Sequence, residues 1–538
     1  MHWTRLSLVA PALLSSTYAL SNSWTFKEVG TSGVNAMQLA VLDPGNVIFI
    51  DKLESNPLRT GTGNHAMGAI YELKTNKIYS LDGIKTNSFC AGGGFLSNGT
   101  MVNIGGNPMY ESGGTTADDG LQGIRLVHPC ESKKCEVYEN PDRLRLASPR
   151  WYPSTCRLQD GSMMIMGGSI AGDWTNNPGI NTPSCEFFPP KDKVMYDWKT
   201  NQETRLPNLP NGQRCTYPYS GTATLLPLNK ENGYASEVLV CGGSHASNET
   251  PQGLSTQTPA SSQCSRMVLT TEVIAKGWQV ETMPVPRTMH SSILMPDGRI
   301  LMINGAQTGT AGYGNVPDTI GQSNADNPAF QPVWYDPNAA TGQRFSTEGL
   351  PASTIPRMYH STVSLLSDGS VIIAGSNPNL DVSTQKYPTE YRVEVFSPFF
   401  ILDKLRPVLT VLDPILDYKN TMKALLKIPG LRTRSLTDPP SISVVIMDLG
   451  FSTHGVHMDQ RMVSLDFKLQ MLGKVGEPML TITGPPNADI YPPGPAYIAV
   501  LVNKVVSPMC KILIGDGKGP PVNQGAIDNM LAHKPGQS

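Results

Sequence analysis

Ile293-Leu-Met-Pro-Asp-Gly-Arg-Ile-Leu-Met-Ile-Asn-Gly305 reads as two apolar strands joined by an Asp-Gly turn and closed by a glycine. The pattern recurs as Phe95-Leu-Ser-Asn-Gly-Thr-Met-Val-Asn-Ile-Gly-Gly106, as Cys156-Arg-Leu-Gln-Asp-Gly-Ser-Met-Met-Ile-Met-Gly-Gly168 and as Val363-Ser-Leu-Leu-Ser-Asp-Gly-Ser-Val-Ile-Ile-Ala-Gly375. Asn-Gly and Asp-Gly supply the positive φ of a tight hairpin, and the closing glycines let backbones crowd together. Each copy is therefore a β-hairpin. One hairpin cannot bury both faces of its sheet, whereas copies arranged radially cover one another. Spacings of about 60 to 70 residues between some turns suit kelch-type blades with long loops. The predicted fold is all-β, with a kelch-type β-propeller of seven blades over 21–397. After Ser397 the closing glycines stop. Pro407-Val-Leu-Thr-Val-Leu412, Ile442-Ser-Val-Val-Ile-Met447 and Ala496-Tyr-Ile-Ala-Val-Leu-Val502 predict an immunoglobulin-like β-sandwich over 398–516. The Gly/Pro-rich stretch 517–538 reads as a flexible tail.

The composition narrows the partners. Of 538 residues 16% are charged, and the formal net charge is −2, so no global field favours nucleic acid or an anionic membrane. The counts of 51 Gly and 45 Pro fit a chain built of turns. A short basic start, the apolar run Leu6–Leu14 and the small residues from Ser15 to Ala19 predict a cleaved secretory signal over 1–20. No later stretch offers the roughly 20 apolar residues of a spanning helix. A secreted, extracellular, soluble monomer is expected. Secretion permits disulfides among the nine cysteines. Cys130–Cys135 and Cys241–Cys264 bracket short polar loops and are expected to pair. With one cysteine used for other chemistry an even eight remain, and Cys156, Cys185, Cys215 and Cys510 have no pairing readable from spacing. Asn98-Gly-Thr and Asn248-Glu-Thr fit the glycosylation pattern.

Three repeat starts lie over one another: Arg150-Trp-Tyr-Pro-Ser-Thr155, Arg287-Thr-Met-His-Ser-Ser292 and Arg357-Met-Tyr-His-Ser-Thr362. In that register Tyr152, Met289 and Tyr359 are equivalent, as are His290 and His360. Equivalent blade positions face one axis, so two phenols from different blades can converge there. Tyr359 and His360 would share a site only at an irregular strand entrance, since strand neighbours face opposite ways. Pro356 favours such an entrance. Alone, the Tyr-His pair reads as a buried tyrosine beside a surface histidine.

Ser88-Phe-Cys-Ala91, Arg150-Trp-Tyr-Pro-Ser154, Ile355-Pro-Arg-Met-Tyr-His-Ser361 and Asp448-Leu-Gly-Phe-Ser-Thr-His454 are similar, in order, to the four active-site segments of the copper radical oxidases. Leu239-Val-Cys-Gly-Gly-Ser244, Thr258-Pro-Ala-Ser-Ser-Gln-Cys-Ser-Arg266 and Asn324-Ala-Asp-Asn-Pro328 resemble the glyoxal oxidase branch of that family, which also includes galactose oxidase. The resemblance implies one copper ion held by Tyr152, Tyr359, His360 and His454. It also implies a thioether from Cys90 to the ring of Tyr152, which carries a radical, and a proton-accepting role for Tyr359. Two imidazoles with phenolate oxygens suit Cu(II). Removing two electrons from a hydrated aldehyde needs a second one-electron centre beside Cu(II)/Cu(I), and a sulfur-substituted tyrosine provides one. The implied reaction converts simple aldehydes of the glyoxal or methylglyoxal type to carboxylic acids as O2 becomes H2O2. Secreted peroxidases would consume that peroxide. The alternatives are a primary-alcohol or sugar oxidase with the same site, and a non-catalytic propeller that binds glycans or proteins.

Other residues read as structural. His290 has Met289 where a phenol is needed, Arg150, Arg287 and Arg357 repeat as packing elements, and Met163-Met-Ile-Met166 is strand core. His457 is a candidate support for His454. One departure stands out: where galactose oxidase stacks a tryptophan on its cross-linked tyrosine, this chain has Ile170. An aliphatic side chain offers no π contact or indole N–H. Trp174 is nearby in sequence only.

Overall fold

The structure is a computed structural model and describes residues 23–130, 135–172, 174, 177–191, 205–247, 250–404, 406–429, 440–471 and 478–532. The expected signal segment and Asn248 lie outside the described residues.

All four repeats form hairpins, and their turns share one construction. The Gly of each pair is left-handed: Gly99, Gly161, Gly298 and Gly369 have φ of 84°, 79°, 85° and 86°. The preceding side chain closes the turn, with Asn98, Asp160, Asp297 and Asp368 accepting the N–H of Thr100, Ser162, Arg299 and Ser370 at 2.9–3.1 Å. Only the glycine takes positive φ, so each is a turn with one left-handed residue added rather than a two-residue primed turn.

Each hairpin starts a sheet. The first strands are Gln38–Asp43, Gly92–Phe95, Ser154–Arg157, Thr222–Leu225, Ser291–Leu294 and Ser361–Leu365. Further antiparallel strands follow outward from each. Among the described residues six such sheets form, one fewer than the seven blades the sequence suggested. The two ends of the ring are joined in the last of these: Thr25–Thr31 completes the sheet of Ser361–Leu365 by pairing with Arg392–Ser397, in register from Thr25↔Ser397. Backbone bonds stitch one sheet to the next. Gly106, Gly243 and Gly305 donate N–H to the carbonyls of Arg150, Arg287 and Arg357 at 3.1, 2.9 and 2.7 Å. The same three arginines are buried and cap carbonyls of their own sheet, Arg150 on Gly167 and Ser184, Arg287 on Asn304 and Ala329, Arg357 on Gly375 and Arg392. Their packing role is borne out.

Beyond the ring, Val408–Val411, Thr421–Lys427, Pro478–Thr483 and Phe467–Met471 form one sheet, and Ile415–Leu416, Cys510–Ile514, Gly494–Val502, Ile442–Asp448 and Arg461–Leu465 a second. Leu409, Leu426, Ile446, Ile482, Ile498 and Ile512 pack between them as a separate core. The strands Ile442–Asp448 and Arg461–Leu465 continue past the sandwich as a hairpin, Phe451–Thr453 and Val456–Met458, which enters the ring. There it pairs with Gln38–Asp43 through Gln38↔Thr453 and Ala40↔Phe451, and packs on the first strands of the other sheets.

The expectation of a loose tail is corrected. The segment after Asp516 is not a loose tail: Gln524–Ala532 is a helix whose Ala526 and Met530, one turn apart, are buried, and Arg145 donates to the carbonyl of Leu531 at 2.9 Å. The disulfides Cys130–Cys135 and Cys241–Cys264 are present, but Cys156, Cys185, Cys215 and Cys510 are free thiols on separate segments.

Candidate metal centre

The site is built where strands begin. Cys90 and Tyr152 stand two residues before Gly92–Phe95 and Ser154–Arg157, His360 stands directly before Ser361–Leu365, and His454 is at the tip of the inserted hairpin. All four are left-handed, with φ of 57°, 60°, 64° and 52°. A non-glycine residue in that region costs on the order of 1–3 kcal/mol and persists only where its surroundings over-determine it. Here the ring of sheets does so. Met289 (φ 58°) repeats the conformation of Tyr152, as the sequence register implied. In the third copy the left-handed residue falls one place later, on His360 rather than Tyr359. That slip turns the chain between two neighbours that a regular strand would point apart, and their rings stack at 3.9 Å and 28°.

All five expected residues converge. The phenols of Tyr152 and Tyr359 share a hydrogen bond of 2.6 Å. His454 Nε2 lies 3.2 Å from Cys90 Sγ, and its ring centroid is 4.9 Å from that of His360 and 5.1 Å from that of Tyr152. Among the described residues, donor atoms of Cys90, His360 and His454 all fall within 4.8 Å of one another. The tautomer of His454 follows from its neighbour. Thr453 donates its only hydroxyl proton to the Met37 carbonyl at 3.2 Å, so the 2.6 Å contact with His454 Nδ1 requires the proton on Nδ1. Nε2 is then left with its lone pair facing the cluster.

His360 is the residue whose surroundings best fit a metal ion. It is 1% exposed, and neither ring nitrogen has a hydrogen-bond partner among the described residues. A buried unsatisfied polar group costs about 1–3 kcal/mol, and a metal ion on one nitrogen removes that penalty. Burial holds His454 down at about 3, and holds His360 well below its usual value with help from the His454 and Lys52 charges. Burial also pushes the phenols of Tyr152 and Tyr359 well above theirs, with the neighbouring Cys90 thiol adding to it in both. At neutral pH the imidazoles are thus ready to bind a cation, while the phenols must release protons to do so. Two imidazoles, two phenols and a thiol fit copper better than Mg or Ca, which prefer carboxylates and carbonyls.

Two wall residues, Tyr217 and Tyr313, carried no sequence signal. Tyr217 covers Tyr152 with its ring 5.2 Å away and tilted 31°, and Trp151 flanks it at 4.4 Å. Ile170 is 46% exposed, and Trp174 bonds the Ala311 carbonyl and packs beside Tyr219 instead. Phe89 meets His360 edge-on at 5.7 Å, and Tyr313 reaches Tyr359 and His360 at 6.3 and 6.4 Å. Tyr217 and Tyr313 belong to segments outside the repeats, where spacing gave nothing to read. His290 is fully buried against Thr222 and stands outside the donor cluster, and His457 bonds the Leu449 carbonyl at 2.5 Å, bracing the hairpin rather than His454. A cleft of about 610 Å³ lined by Arg266, Asp297 and Ser443 contains none of the five.

The family described as "Glyoxal oxidase N-terminus" matches residues 54–181 and 182–400, and "Galactose oxidase-like, Early set domain" matches 406–512. The chain is 30% identical to an aldehyde oxidase GLOX of Vitis pseudoreticulata over 92% of this chain and 97% of that protein. It is also 30% identical to aldehyde oxidase GLOX1 of Arabidopsis thaliana, over 88% and 82%. A fungal alcohol oxidase of the AA5 family, solved in complex with copper, shares the fold at a TM-score of 0.62 and 17% identity, covering 92% of this chain and all of that one.

Proposed function

The chain belongs to the glyoxal oxidase family, and on that premise we propose that it is a secreted copper radical oxidase that turns simple hydrated aldehydes into carboxylic acids, with O2 reduced to H2O2. The convergence of five residues from four separated segments on one buried point carries this reading. Tyr152, Tyr359, His360 and His454 would hold one copper ion, and Cys90 would be joined through sulfur to the Tyr152 ring. When bound, copper supplies Lewis acidity and accepts one electron.

The chain's own groups do the rest. Tyr359, once ionised, takes the proton of the substrate hydroxyl, and its 2.6 Å contact with Tyr152 keeps the two oxygens in one small space. Tyr152 as a radical takes the hydrogen atom from the substrate carbon. The hydrate thereby loses two protons and two electrons, and O2 gains the same to become H2O2. Phe89, Trp151, Tyr217 and Tyr313 line the site with rings and limit water around the radical.

The test is oxygen uptake and peroxide release by copper-loaded protein on glyoxal, methylglyoxal, glycerol and galactose, with Tyr152→Phe and Cys90→Ser beside it. Aldehydes are expected to lead, both variants to lose activity, and wild-type peptides to show Cys90 linked to Tyr152 with two hydrogens lost. Turnover favouring galactose or glycerol would move the substrate class to alcohols. No uptake on any substrate, with no linked peptide after copper and oxygen, would end the proposal.

A further inference from the structure

Lys52 follows the strand Asn46–Ile50 and is 4% exposed. Its ammonium donates to the carbonyl of Asn379 at 3.2 Å and to that of Leu380, and lies 3.5 Å from Glu54 Oε2. Two carbonyls and a carboxylate thus surround the ammonium. It sits over two rings, 5.4 Å from the centroid of Phe89 and 5.3 Å from that of Tyr313. Those are the rings that contact His360 edge-on and reach Tyr359. A buried charge costs several kcal/mol even when paired, and an apolar side chain of the same length would fill this space without that cost. Glu54, Tyr313 and Asp51 hold the lysine charged against the opposing effect of burial. The cation therefore stays charged one aromatic ring away from the donor cluster.

We propose that Lys52 is a positioning residue of the metal centre: its ammonium holds Phe89 and Tyr313 against His360 and sets a positive field that favours the centre's reduced, electron-richer form. This rests on the copper radical reading above. A fixed positive charge stabilises whichever state carries more negative charge, here the state after one electron has been gained. The ammonium is 5.4 Å from the Phe89 centroid, which is 5.7 Å from that of His360; at a separation on the order of 10 Å through an effective dielectric of about 20, a unit charge changes that equilibrium on the order of tenfold. For a one-electron couple this is about 59 mV.

The experiment is a redox titration of copper-loaded full-length protein, followed by the absorption of its oxidised form. Lys52→Met is expected to lower the midpoint by the amount corresponding to about tenfold, and Lys52→Arg to restore most of it. Glu54→Gln, which removes the counter-charge, is expected to move it upward; this variant and Lys52→Arg carry the test if Lys52→Met does not fold. Opposite shifts from two neighbouring substitutions are not produced by loosened packing. A wild-type couple that none of these variants moves, or that Lys52→Met and Glu54→Gln move the same way, overturns the role of Lys52 alone. A wild-type protein with no one-electron couple overturns the copper radical reading and the Lys52 role with it.

Discussion

Gly375 shows how a residue with no side chain sets the geometry of one that has chemistry. Its φ is 73°, and a Cβ there would stand 2.5 Å from the His360 carbonyl oxygen and 2.7 Å from that of Ala36. The His360 oxygen cannot yield without moving the left-handed turn that aims His360. Gly375→Ala should therefore lower stability by about 1–3 kcal/mol in urea unfolding and loosen copper retention in a chelator competition. A stability loss with unchanged retention would separate the glycine from the site. The closing glycines were visible in the sequence as punctuation. Their reason was not, because the atoms a Cβ would strike include those of the next sheet, as with Gly105 and the Arg150 carbonyl at 2.4 Å.

The decisive element is the hairpin that brings His454 into the ring. It is clamped from two sides. Arg157 makes a buried ion pair with Asp448, while Asp459 accepts the Arg157 backbone N–H at 2.9 Å. Opposite, Gln460 accepts the Leu294 N–H at 2.7 Å and donates to the Ser292 carbonyl at 3.1 Å. Removing one member of a buried ion pair leaves an uncompensated charge and costs about 3–5 kcal/mol. Arg157→Met is expected to show that loss in urea and to weaken copper binding, although Arg157 touches no donor atom. The Asp448-to-His454 segment was legible by resemblance. The clamp was not, because Arg157 belongs to an ordinary strand of a different sheet.

At the scale of the whole molecule, titration of buried groups sets the pH response. His290 is held at about 3 and His457 at about 4, chiefly by burial, as are His454 at about 3 and His360 well below its usual value. The unfolded chain takes up these protons below about pH 6.5 and the folded one does not, so the histidines remove stability as pH falls from there toward their folded values. Asp459, raised to about 6, and Asp51, raised well above its usual value, act in the opposite sense, because the folded state binds their protons first. Four histidines outnumber two carboxyls, and the melting temperature of metal-free protein is expected to fall between about pH 6.5 and 4. His290→Gln should flatten that fall, and a melting temperature that rises as pH drops would contradict the balance. The sequence alone determined the hairpins, the change of pattern near Ser397 and, by resemblance, the five converging residues. Turn chemistry and strand alternation are local, and the active-site segments are short and contiguous. Tertiary structure alone decided the slip that puts Tyr359 and His360 on one side, the Tyr217 ring over Tyr152, the Lys52 charge behind two aromatics, the docked helix Gln524–Ala532 and the four unpaired thiols. Each depends on which loops meet when the ring closes, and contacts between segments far apart in the chain leave no period or spacing in the sequence.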